Sequence, residues 1–179
     1  MFQGGLSTGR TITDNCQLLA QQPSISPLGV PYCHQVTDFL TQVKAFGSYT
    51  IPKIDLQVSG AFQSIPGPQL AANLVVPNAT VRPSLGRDLV GGAANVTVNL
   101  VAPGAMFGDR LNQLDMRFAK LLKSGRTRTS VNLDVYNLFN VSTVLAENST
   151  YSNATFTGWR VPTTIVTARF AKFSVQFDF

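Results

Sequence analysis

The sequence has no run of about 18 consecutive apolar residues, the length a transmembrane helix needs, so no helix of this chain is expected to cross a bilayer. Barrel strands of about 10 alternating residues escape that test, so the absence excludes helical membrane proteins and nothing more. Charge is scarce as well. Asp, Glu, Lys and Arg make up 13% of the 179 residues, and the net charge of +5 is scattered with no long basic run, which argues against nucleic acid as a partner. Low charge beside abundant Thr, Ser, Asn and Gln shifts the expectation to an all-β chain, because uncharged polar residues suit sheet faces and loops better than helix surfaces. The opening Met1-Phe2-Gln3-Gly4-Gly5 holds neither a basic n-region with an apolar h-region nor a transit-peptide pattern. With one histidine and two cysteines, ligands for a metal site are too few. A G-x-S-x-G nucleophile motif is missing, and Gly91-Gly92 lacks the Lys-Ser/Thr of a phosphate loop. No enzyme, metal or cofactor is expected.

What the chain does have is period-two alternation, which in a strand sends successive side chains to opposite faces. At the end of the chain Phe173, Val175, Phe177 and Phe179 alternate with Ser174, Gln176 and Asp178. Earlier, Val43, Ala45, Tyr49 and Ile51 oppose Gln42, Lys44, Ser48 and Thr50, with Phe46 an exception on the polar side. After Pro52-Lys53 the pattern resumes with Ile54, Leu56, Val58 and Phe62 against Asp55, Gln57, Ser59 and Gln63. Leu114, Met116, Phe118 and Leu122 oppose Gln113, Asp115 and Arg117, and after Lys123-Ser124-Gly125-Arg126 come Val131, Leu133 and Val135 against Ser130, Asn132 and Asp134. With a looser pattern at the start, six strands are predicted near 2–13, 39–51, 54–64, 111–123, 128–140 and 164–179, paired sequentially and antiparallel. The stretches 14–38, 64–110 and 141–162, broken by prolines and glycines, read as long loops, with a local hairpin around Ala94–Leu100 in the second.

The connections therefore run long, short, long, short, long. Outer-membrane β-barrels resemble this arrangement, with short periplasmic turns and long outer loops, and their strands commonly end on an aromatic such as Phe179, which in them acts as a signal to the barrel-assembly machinery. Counting back from a periplasmic Phe179 puts both tight turns in the periplasm and all three loops outside. A strand of about 10 residues at about 3.3 Å each, tilted near 40°, spans roughly 25 Å, the height of the apolar band. Asp55, Asp115, Arg117 and Asp134 on the polar faces would point into the lumen, since a charge facing lipid at mid-membrane costs roughly 2–4 kcal/mol.

Leu111-Asn112-Gln113-Leu114-Asp115-Met116-Arg117-Phe118-Ala119-Lys120, then Asn132-Leu133-Asp134-Val135-Tyr136-Asn137-Leu138-Phe139-Asn140, then Trp159, Pro162 and Ala168-Arg169-Phe170 to Phe179, resembles the C-terminal end of TonB-dependent outer-membrane receptors. Gly9-Arg10-Thr11, Asn15-Cys16 and Tyr32-Cys33-His34 are similar to the large receptors, frequent in Acidobacteria, that begin with a carboxypeptidase-regulatory-like domain. The resemblance implies that residues 1–179 are the last strands of a barrel of about 22. Plug, energy-coupling box and earlier strands would lie in a missing N-terminal part, which would contact the TonB complex. It also implies a bacterial outer-membrane location, lipid around the strands, and energised uptake of an unnamed small ligand. In the outer loops, Trp159, Tyr151, Phe107 and Arg110 are the candidate ligand contacts. Cys16 and Cys33, in one exported loop, would pair as a disulfide, and a metal or catalytic use of Cys with His34 is the alternative. Asn78, Asn95, Asn140, Asn148 and Asn153 form N-x-S/T sequons, which keep a secreted soluble β-sandwich adhesin or lectin open as a rival, beside a passive porin-type barrel.

Overall fold

A computed structural model describes residues 1–22, 32–125, 127–152 and 158–178. It is 53% strand and 11% helix, with antiparallel sheets dominant, so the chain is mostly β. In order, the elements are β1 (Phe2–Ser7), β2 (Ile12–Asp14), α1 (Cys16–Gln21), β3 (His34–Val36), β4 (Gln42–Ile51), β5 (Leu56–Ile65), β6 (Asn73–Pro77), α2 (Asn78–Leu85), β7 (Asn95–Asn99), β8 (Leu111–Ser124), β9 (Thr127–Tyr136), β10 (Val144–Glu147), β11 (Thr150–Tyr151), β12 (Pro162–Ile165) and β13 (Phe170–Asp178). Among the described residues no helix is long and apolar enough to cross a membrane, which says nothing of a β-barrel.

Six of these strands form one sheet in the order β1-β4-β5-β8-β9-β13, each neighbour antiparallel, so spatial order follows chain order. Among the described residues β1 and β13 do not pair with each other, so the sheet is open and no closed barrel forms. The register lines up whole rows across it. Tyr49, Val58, Phe118, Leu133 and Phe173 stand in one row, and Ser48, Ser59, Arg117, Asp134 and Lys172 in the neighbouring row on the opposite face. A one-residue slip in any strand would invert its side chains, which is why alternation fixes the pairing so firmly.

The two tight turns lie at one end of the sheet and all three long connections at the other, as an up-and-down meander requires. Between β4 and β5 the turn is four residues long. Ile54 N–H donates to the Ile51 carbonyl at 3.3 Å, and Asp55 takes a positive φ of 45°. Ile54 and Asp55 thus belong to the turn and not, as the alternation suggested, to the strand faces; Asp55 lies 3.6 Å from Lys123 instead. Gly125, at φ 63°, sits in the second turn, where a residue lacking Cβ enters the left-handed region freely.

Several strand limits differ from those the pattern suggests. The first strand stops at Ser7, and β2 leaves the main sheet to pair with β3. The fifth stops at Tyr136, because Asn137 turns the chain with φ 52°. The last begins at Phe170, since Pro162–Ile165 pairs with β10. The loops are also more ordered than their prolines implied. The run 94–100 makes no local hairpin: β7 pairs antiparallel with β6 across α2, and Pro83 lies inside that helix. Among the described residues the one parallel pair is β11 with β6, outside the six-stranded sheet.

Candidate functional site

The two faces of the large sheet have opposite environments. On the apolar face Phe173 is 77% exposed, Tyr49 68% and Phe177 67%. On the polar face Asp134, Asn132 and Ala119 are buried. Arg117, opposite Asp134 in register, grips it twice, with Nε donating to Oδ1 at 2.5 Å and Nη2 to Oδ2 at 3.0 Å. Around this pair Gln57 donates to Ser48, Ser59 to Ser48, Gln63 to Gln113 and Gln113 to Asp115. An open groove of about 350 Å³ runs over Phe46, Gln57, Ser59, Arg117, Asp134 and Tyr136. Such a lining supplies hydrogen-bond donors and acceptors and a balanced ion pair. It does not supply a nucleophile with its base.

The Asp134–Asn140 segment joins this wall to the loops. Tyr136 stacks on Phe170 with ring centroids 4.6 Å apart, tying the end of β9 to the start of β13. Asn137, 1% exposed, is a hub. Its N–H donates to Asp115 Oδ1, its side-chain amide donates to the carbonyls of Val141 and Thr167, and its Oδ1 accepts from Val141 N–H, all at 2.8–2.9 Å. Asn140 repeats the device, with φ 52° and Oδ1 accepting from Arg169 N–H. Asparagine tolerates the left-handed region and bonds local backbone, so the segment is built to end a strand and start a loop. That hub was legible only as a motif of resemblance; the residue chemistry that could have found it is the pairing of two asparagines three apart after an alternating run.

The long loops close over one end of the sheet and touch one another. Tyr32 Oη donates to the Asn99 carbonyl, and Thr37 packs where a Cβ on Gly104 would fall, 3.0 Å away. The second loop has a narrow neck, where a Cβ on Gly67 would meet the Gly108 carbonyl at 2.2 Å; Phe107 bridges to Gln69 there. Asn73 bonds Ser149, which fastens the second loop to the third.

Of the four candidate ligand contacts, two come together. Trp159 meets Tyr151 edge-on at 5.8 Å, but its Nε1–H donates to the Ala71 carbonyl at 3.0 Å, so the indole is fixed between two loops. It lines a cleft of about 160 Å³ with Leu70, Leu145 and Asn148. Phe107 lies in the neck, and Arg110 is taken up with Thr41 O and Ser64 Oγ. Gln69, which bridges to Phe107, also lines the Trp159 cleft. Nearby, Glu147 bonds Arg160 at 2.9 Å and holds the guanidinium above its already high range.

Cys16 and Cys33 form a disulfide with Cα atoms 4.7 Å apart, closing the loop that holds α1. His34 Nδ1 lies 3.1 Å from Asp14 Oδ2, and with both sulfurs bonded there is no thiol for a Cys–His pair. Among the described residues no three His, Cys, Asp or Glu side chains gather as a metal would need. Of the terminal alternating residues, Phe173, Val175 and Phe177 share the exposed apolar face; Phe179 lies outside the described residues, as does Asn153. Comparison with protein-family models, curated proteins and solved structures finds no match to the chain.

Proposed function

We propose that the chain is the C-terminal part of a TonB-dependent outer-membrane receptor barrel, a wall segment that takes part in energised ligand uptake. The observation that carries this reading is the inversion of the large sheet, with Asp134 and Asn132 buried on one face and Tyr49, Phe173 and Phe177 bare on the other. In water that arrangement leaves a broad apolar patch uncovered, whereas in lipid the same face is solvated and the polar face lines a lumen. The sorting of short turns to one end and long loops to the other supports it. A soluble sandwich would need a second sheet over Tyr49, Phe173 and Phe177, and among the described residues the other sheets have only two or three strands. Two of the sequon side chains are engaged within the fold: the Asn78 amide donates to Asp88 and that of Asn148 to the Gly158 carbonyl, which crowds the nitrogen that a glycan would occupy. A passive porin shares the sheet inversion and is separated only by energy dependence.

In this reading the loop cap, with its Trp159 cleft, faces the cell exterior, and the tight turns face the periplasm. Antibody raised against residues 1–179 should mark a band in the outer-membrane fraction of the source cells, well above the 19.3 kDa of this chain. A soluble band near that mass would overturn the proposal.

A further inference from the structure

The apolar face of the large sheet carries one charged side chain among its described residues. Lys120 stands in the row Ile51, Leu56, Lys120, Val131 and Val175, with Phe118 and Leu122 before and after it on the same face. A primary ammonium stranded among aliphatic groups is unfavourable unless its head reaches a polar layer. Here the head reaches the tight turn: Nζ donates to the Ile54 carbonyl. Pro52 to Asp55 forms that turn, so Lys53 adds a second exposed cation to the same rim. An ammonium has three donors, and the Ile54 carbonyl accepts one of them.

We infer that Lys120 marks the lower boundary of the lipid-covered band at the ends of β4 and β5 and binds the phosphate of a phospholipid headgroup there. This rests on the membrane reading above, and it commits to a lipid headgroup as occupant by charge complementarity: the apolar rows of β4 and β5 end, at Ile51 and Leu56, beside this cation, as a lipid's tail ends at an anion. Lys172 provides the internal control, because it lies on the polar face opposite Asp134.

The test is site-resolved amine acylation of the full chain in zwitterionic micelles, read by peptide mass spectrometry, with phosphatidylglycerol added in one arm and inorganic phosphate at matched ionic strength in another. A basic residue near an anionic lipid surface gains enough for roughly fivefold slower acylation of Lys120 with phosphatidylglycerol. Lys172 should not change, and inorganic phosphate should not protect Lys120. Equal protection by inorganic phosphate, or none by the lipid, overturns the headgroup site. Quenching of a tryptophan at Phe173→Trp by brominated lipid reports separately whether the apolar face is covered: quenching without Lys120 protection removes only the headgroup site, and no quenching removes the membrane reading with it.

Discussion

In the six-stranded sheet the least exposed side chains include Asp134 and Asn132 beside Ala119 and Leu111, whereas in the loop cap they are Leu19, Leu70, Ala72 and Val166. The cap obeys the ordinary rule for water, with small apolar residues inside and polar groups turned to backbone partners. The sheet inverts it. Both regions have the same scarcity of charge, so composition cannot distinguish them; what differs is whether apolar residues alternate along ten-residue strands or occur singly between turns. The comparison teaches that two solvents are written into one chain, and each substitution below is chosen to strain one side of it.

The largest effect belongs to the apolar face. Phe173→Arg should cost roughly 2–4 kcal/mol in the lipid- or detergent-folded state, while Gln176→Arg, three residues on and facing the polar side, should stay within about 0.5 kcal/mol. Denaturant unfolding in micelles measures both. Were water the native solvent of this face, Phe173→Arg would be neutral or would improve solubility, and the inversion would lose its meaning.

At the junction of the two regions, Asn137→Ala removes three side-chain hydrogen bonds and strands the carbonyls of Val141 and Thr167, with a non-glycine residue left at φ 52°. At about 1 kcal/mol per bond, a loss of roughly 3 kcal/mol is expected. Asn137→Asp keeps the acceptor and the backbone tolerance and should recover part of it. If the junction merely abuts the sheet, both variants will unfold like the parent chain.

Much of the sheet was legible before any coordinates because alternation reports which face a residue takes, and a register error would move every side chain to the wrong side. Val43, Val58, Phe118, Leu133 and Phe173 could be placed this way. Strand ends could not, since they are decided by single residues such as Asn137 and Asp55 whose left-handed backbone leaves no periodic trace. The cap was the least legible part. Its pairings join residues far apart, as Asn73 joins Ser149 and Tyr32 joins Asn99, and prolines at 77 and 83 that read as loop punctuation instead flank or enter a short helix. The setting of the loop aromatics was equally hidden: residue type alone does not say that the indole N–H of Trp159 is spent on the Ala71 carbonyl.

Within the cap, Cys16→Ser with Cys33→Ser should act locally. A link across 17 positions is worth about 3 kcal/mol in the chain-entropy model, but that is realised in whatever unit unfolds with it. Amide exchange should therefore quicken across α1, β2 and β3 while the β8–β9 core keeps its protection. Equal acceleration throughout would mean that cap and sheet unfold as one, which would erase the boundary between the two regions.

The smallest effect sharpens the same boundary by pH. Asp14 accepts the Cys16 N–H at 3.0 Å and pairs with His34, and the first of these contributes most to holding its carboxyl below the usual aspartate range. Because the folded-state value is depressed, the stabilisation is fully present above the unfolded value near 4, and it fades as pH falls through the lower folded value. Both side chains are well exposed, so screening keeps the effect small and local. Titration between pH 2 and 5 should loosen the Cys16 amide and the β2–β3 pairing while the disulfide holds the segment in place, and Asp14→Asn should flatten that response. An Asp14→Asn chain whose Cys16 amide still loosens in the same window would remove Asp14 as the source of the acid sensitivity.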